Sequence, residues 1–88
     1  MEVQKIIIRT TAYAYNKKLA MAFTYRGCAE VNVEQFDISI LRDVCYDARD
    51  KLIDMDAGNV EVERVSAYAV IIVNGITYTS KRVVTKFA

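Results

Sequence analysis

Four aspartates, Asp43, Asp47, Asp50 and Asp54, follow one another at spacings of four, three and four. On a helix this spacing sets them along one face, where like charges cost on the order of 0.2–0.5 kcal/mol per pair. Aspartate is also a weaker helix former than glutamate, and Asp54 and Asp56 oppose the dipole at a C-terminus. A helix that needed only solubility would alternate Glu and Lys. The stripe therefore reads as a surface offered to a protein partner with a basic face, including a nucleic-acid-binding cleft whose phosphates the carboxylates imitate in charge. The plain alternative is a solvated face, relieved by an Asp47–Lys51 pair and by basic side chains from elsewhere. Helix carboxylates also suit Mg²⁺ or Ca²⁺, but neither loop carbonyls nor a third ligand accompany them, and no metal is expected.

A second group combines rings with bases: Arg9, Tyr13, Tyr15, Arg26, Arg64, Tyr68 and Lys81, with Lys5 beside them. All fall in β-like runs whose alternation points them to one side of a sheet. Rings stack on bases while cations meet phosphates, as single-stranded nucleic acid or a nucleotide requires. No RRM motif, KH loop or glycine-rich phosphate loop is present, and a net charge of +1 is far from that of a basic domain. The plain alternative is that tyrosine and β-branched residues favour strands, with the tyrosines lining a dimer interface.

Catalytic chemistry finds little support. The chain has no histidine, which removes the commonest general base and transition-metal ligand. Cys28 is a nucleophile only with a base to activate it, and Glu30 is the nearest candidate. Cys45 falls among apolar helix positions and packs as a small hydrophobe. The two cysteines form neither a CxxC pair nor a metal-type spacing. A non-enzymatic protein without a cofactor is expected.

Those residues must be positioned by one small domain spanning residues 1–88, with 53% hydrophobic and 26% charged residues, three glycines and no proline. That is a folded composition, although a chain this short buries only a little over ~60% of its unfolded surface. MEVQK leads directly into a β-like run without a signal-type segment, and the longest apolar stretch, 67–73, is too short to span a bilayer. A cytoplasmic protein without membrane attachment is expected. Charge is unevenly distributed. Residues 37–56 hold six acids and three bases, net −3, leaving nine bases and five acids, net +4, elsewhere.

The convincing helix lies between Phe36 and Gly58. Asp37 fits the N-cap, Phe36 and Leu41 fit a hydrophobic staple, and Gly58 fits the left-handed C-terminal closure. Ile38, Leu41, Cys45, Ala48, Leu52 and Met55 form its apolar face, and its length would be about 29 Å. A start at Asn32 with Gln35 completing a capping box would bury Asp37, and is rejected. Before the helix, residues 3–15 and 18–26 read as strands turning at Asn16-Lys17, which sets Tyr15 opposite Lys18. The inner face then holds Ile6, Ile8, Thr10, Ala12 and Ala14 against Leu19, Met21, Phe23 and Tyr25. Residues 27–35 are ambiguous, and Val31 and Val33 would continue the second strand past a bend.

After the helix, 60–73 and 76–87 flank Asn74-Gly75, the strongest short hairpin signal. Val73 then faces Ile76, and Glu63 faces Lys86. Val84 falls inward while Val83 and Thr85 fall outward, unless a bulge intervenes. Thr11-Ala12-Tyr13-Ala14 echoes Ser66-Ala67-Tyr68-Ala69, and both registers turn the alanines inward and the tyrosine outward.

The expected fold is α+β: a β-β-α-β-β chain forming a four-stranded antiparallel sheet with one long helix packed on one face. Four strands span roughly 19 Å, against about 10–12 Å for a helix. One helix cannot cover that face, and a second copy of the chain, making a homodimer, is the simplest cover. The leading functional expectation is a small binding module that docks on a protein through the aspartate stripe. Accessory and inhibitor proteins, including those of phages and mobile elements, are often this short. Single-stranded nucleic-acid or nucleotide binding on the outer sheet face is the alternative.

Overall fold

Two antiparallel hairpins joined by a helix form one sheet, in a computed structural model that describes residues 3–56 and 58–88, without the side chains of residues 3, 4 and 35. The elements are β1 (Val3–Asn16), β2 (Met21–Val31), a 3-10 turn (Val33–Gln35), α1 (Ile40–Met55), β3 (Val60–Val73), β4 (Ile76–Thr79) and β5 (Val83–Lys86). The row order is β2-β1-β3-β4, and β5 also pairs with β3, so β4 and β5 are two pieces of one edge row. The α+β class, the β-β-α-β-β order and the antiparallel sheet with its single helix are as the sequence led us to expect. The opening residues Met1 and Glu2, and Ala57 within the helix-bearing stretch, lie outside the described residues.

β1 and β3 are the central rows. The two echoed segments lie side by side, with Thr11 opposite Ser66 and Thr10 opposite Ala67. Ala12, Ala14, Ala67 and Ala69 are all buried on the helix side. Their small side chains let α1 sit close enough for the Cys45 thiol to donate to the Val65 carbonyl at 3.5 Å. Between the pairs Tyr13↔Arg64 and Ala14↔Val62 the register shifts by one residue. This bulge at Glu63 returns Val62 to the buried face beside Val65.

The first turn differs from the expected one. Asn16 pairs with Met21, and Tyr15 faces Ala22 rather than Lys18, so Lys17–Ala20 is a four-residue turn. The Asn16 side-chain oxygen accepts the Leu19 N–H at 3.0 Å, and Ala20 takes a positive φ of 54° to close the loop. Leu19 and Met21 are thereby exposed instead of facing the core. The displacement is four residues, an even number, so Phe23 and Tyr25 keep their side of the sheet. β2 runs without interruption through Gly27 to Val31.

At the second turn Asn74 and Gly75 both have positive φ, and Val73 faces Ile76, as expected. Farther along, the row breaks. Ser80 N–H donates to the Ala69 carbonyl at 2.9 Å while Ser80 Oγ accepts from Ala69 N–H at 2.8 Å. When pairing resumes, Arg64 faces Lys86, so the expected Glu63–Lys86 pair does not form. The one-residue shift exchanges faces. Val83 packs against the core and Val84 is exposed.

α1 is shorter than expected, 16 residues or about 24 Å. The chain enters it through a tight turn in which Ile40 N–H donates to the Asp37 carbonyl and Leu41 N–H to that of Ile38. The Asp37 carboxylate takes the Ser39 hydroxyl at 3.2 Å rather than a backbone N–H, which corrects its expected role as N-cap. Asn32 instead caps the short 3-10 turn through Glu34 N–H at 3.0 Å; the side chain of Gln35 lies outside the described residues. Gly58 has the left-handed φ of 85° expected after the helix. Leu41, Cys45 and Leu52 are buried, but Ile38 at 52% and Met55 at 68% exposure reach past the core.

The helix seats on β3, with β5 and β1 beside it. The inner side of β2 is left open, and Tyr25 there remains 48% exposed. Strands of 14 residues with a short helix give an elongated shape, 50 × 19 × 19 Å. Its radius of gyration is 14.5 Å, against about 12 Å for a compact chain of this length. No described helix is long and apolar enough to cross a membrane.

Candidate functional site

The register of β1 against both neighbours assembles the outer sheet face. Arg9 stands between Cys28 and Tyr68, Thr11 between Arg26 and Ser66, Tyr13 between Thr24 and Arg64, and Tyr15 between Ala22 and Glu61. Arg9, Tyr13, Tyr15, Arg26, Arg64 and Tyr68 therefore share one face. Lys81 does not belong to a strand; it lies in the break between β4 and β5. Its neighbour Arg82 supplies the base on that side, with its guanidinium carbon 5.2 Å from the centre of the Tyr68 ring. Sequence reasoning missed Arg82 because strict alternation turns it inward, and only the bulge brings it back. The adjacent pair of bases, Lys81-Arg82, was the available signal.

Arg9, Arg26 and Arg82 surround a shallow depression of about 310 Å³, with Tyr13, Tyr68 and Thr11 among its other walls. Among the described residues no carboxylate lines it. Among the described residues these three arginines have no ion-pair partner. Arg64 differs. Its guanidinium lies 4.1 Å from the Tyr13 ring centre and donates to Glu63 at 2.8 Å, which neutralises part of its charge. The guanidinium over the ring face is attracted by the ring quadrupole. The arrangement offers phosphate-binding forks next to aromatic rings.

On the opposite side of the molecule, Asp43, Asp47, Asp50 and Asp54 are all exposed on α1. Asp50 accepts from Arg49 at 3.0 Å, and the expected Asp47–Lys51 pair is not formed. Nor is this side uniformly acidic. Arg49 stacks on Phe87 at 4.7 Å, and Tyr46 meets Phe87 edge-on with centroids 5.2 Å apart. Among the described residues no three His, Cys, Asp or Glu groups gather into a cation site.

A second concavity, an apolar groove of about 450 Å³, runs between α1 and the inner side of β2, with Ile8, Tyr25, Val44, Leu52 and Met55 in its walls. Cys28 is exposed, and Cys45 is buried beneath the helix. Burial raises the Cys45 thiol above its ordinary pKa, and a hydrogen bond with Thr85 offsets part of that rise. No family model matches this chain, and no curated protein or solved structure matches it.

Proposed function

We propose that this chain is a non-enzymatic binding module, acting as a pair of copies, that takes single-stranded nucleic acid on the outer face of its sheet. One observation carries the reading: Arg9, Arg26 and Arg82, without counter-ions among the described residues of their own chain, surround a depression walled by Tyr13 and Tyr68. Free guanidinium groups bind phosphate in a planar fork, and the tyrosines give bases a π face at little entropic cost. The basic groups are local to this face, so the small net charge of the whole chain does not weaken the argument.

The test is fluorescence anisotropy with a labelled single strand of about 12 nucleotides, a length typical of such sites. Two phosphate contacts, from Arg9 and Arg82, predict a slope of log affinity against log salt of about −1.4. Arg9→Ala with Arg82→Ala should flatten that slope and weaken binding at least tenfold, about 1.4 kcal/mol. No measurable binding to DNA or RNA strands at low salt would overturn the reading.

A second reading follows from the exposure of all four stripe aspartates, of which Asp43, Asp47 and Asp54 lack an ion pair among the described residues. Docking on a basic protein, in the manner of an accessory or inhibitor protein, would run through that surface. It predicts a protein complex whose affinity falls when the aspartates are neutralised and is unchanged when Arg9 and Arg82 are removed.

A further inference from the structure

Among the described residues β2 is the outermost row of the sheet and pairs only with β1. The usual protections of such an edge are proline, charged side chains (lysine above all) or a bulge, and the two charged residues of β2, Arg26 and Glu30, are of opposite sign. β2 has neither proline nor lysine, and its register with β1 runs unbroken from Met21 to Val31. The amide directions follow from the turn. Lys17 N–H donates to the Asn59 carbonyl, on the β3 side. Alternation then directs the odd residues of β1 to β3 and the even ones to β2. Their partners on β2 are odd, so Ala22, Thr24, Arg26, Cys28 and Glu30 hold their N–H and C=O groups toward the open edge.

We propose that a second copy of this chain pairs along this edge, antiparallel, with the two-fold axis between the two Cys28 residues. This rests on the paired state proposed above; in the pair Arg26 is answered by Glu30 of the other copy, so Arg9 and Arg82 carry the nucleic-acid element. The choice of register comes from charge. An antiparallel pair in which edge-facing residues meet sets Arg26 of one copy opposite Glu30 of the other, twice, when centred on Cys28. Centring on Arg26 sets arginine against arginine, and centring on Glu30 sets glutamate against glutamate. Centring on Gly27 or Ala29 faces both charges with neutral residues. Opposite charges directly across a ladder stabilise it and like charges oppose it, so the strand is self-complementary in one register.

That register forms about six backbone hydrogen bonds between the copies. On the helix side it sets Tyr25 against Val31 and Gly27 against Ala29, which covers apolar surface that α1 leaves open. A two-fold axis normal to the sheet keeps both helices on the same side, and the outer faces with their arginines become continuous.

Sedimentation of the wild type, Arg26→Glu, Glu30→Arg and the double exchange tests the register. The wild type should dimerise, each single exchange should weaken dimerisation at least tenfold, and the double exchange should recover to within about threefold. A monomeric wild type at 100 µM, single exchanges without effect, or a double exchange without recovery would each overturn the proposal. A covalent readout runs alongside. Paired Cα atoms here lie about 5.5 Å apart, within disulfide range. Diamide should take two protons and two electrons from the two Cys28 thiols, becoming the hydrazine as the S–S bond forms. Cys28→Ser should abolish the covalent dimer. Thr24→Cys in that background should not restore it, since those positions lie roughly 27 Å apart across the axis; efficient Thr24→Cys cross-linking would overturn the register. Glu30→Arg spares the Arg9, Arg26 and Arg82 depression. Single-strand binding by that variant therefore separates failure of the pairing from failure of the nucleic-acid reading.

Discussion

Cys28 and Cys45 are the same residue in opposite surroundings, one open to solvent on an edge strand and one sealed between α1 and β3. A thiol reagent at mildly alkaline pH should therefore modify one cysteine per native chain rapidly and the second only after unfolding. Two fast thiols would show that the helix does not seal the core. The raised pKa of Cys45 carries a stability consequence of definite sign. Folding holds that proton more tightly, so the contribution is complete below the ordinary pKa of 9.0 and declines as pH rises beyond it. Denaturant midpoints of the wild type should fall more steeply above pH 9 than those of Cys45→Ala, and parallel curves would contradict the assignment. Arg82 teaches the complementary lesson. A base is placed beside Tyr68 by one extra residue in the preceding connection, which its own residue type does not signal.

At the scale of elements, α1 holds its place through the middle of its apolar stripe rather than its ends. Leu52 is buried and Ile38 is half exposed. Leu52→Ala should cost roughly 2–5 kcal/mol, and Ile38→Ser less than about 0.5 kcal/mol, both read from urea unfolding. Equal costs would mean that the helix is seated differently. The break between β4 and β5 is likewise a built feature. Ser80 Oγ accepts from the Ala69 N–H and donates to the Lys81 carbonyl at 3.1 Å, taking the place of a ladder carbonyl. Ser80→Ala leaves that N–H without its acceptor and should cost about 1–3 kcal/mol. A neutral result would indicate that water substitutes for the hydroxyl.

The whole molecule is a long plate with bases on one face and an aspartate-bearing helix on the other. Replacing Asp43, Asp47, Asp50 and Asp54 by Asn removes four negative charges and takes the net charge from +1 to +5. The fold should be equally stable or slightly more so, because the repulsion along the stripe is lost. Single-strand affinity should rise, most at low salt, since surface charges are screened over about 10 Å at 0.1 M. A docked protein partner predicts the opposite sign, with a loss of at least tenfold, about 1.4 kcal/mol. The direction of the change thus decides between the two readings.

Local periodicity was enough to determine the helix, the two hairpins and most of their faces. The spacing of Leu41, Cys45 and Leu52 specifies a helix side, and the alternation through β1 specifies which residues meet the core, because both repeats are properties of the backbone itself. Even a turn misplaced by four residues left Phe23 and Tyr25 on the correct side, as an even slip preserves the pleat. Asn74-Gly75 was legible because few residues accept positive φ. Tertiary structure decided the rest. The pairing of β1 with β3 joins residues some 55 positions apart, a contact that no local pattern encodes. The extra residues at Glu63 and in the break between β4 and β5 each reverse every side chain beyond them, exchanging Val83 with Val84 and bringing Arg82 to Tyr68. A bulge lies where the sheet must twist to meet the helix and the neighbouring rows, so its position is set by packing of the whole and not by the strand that contains it.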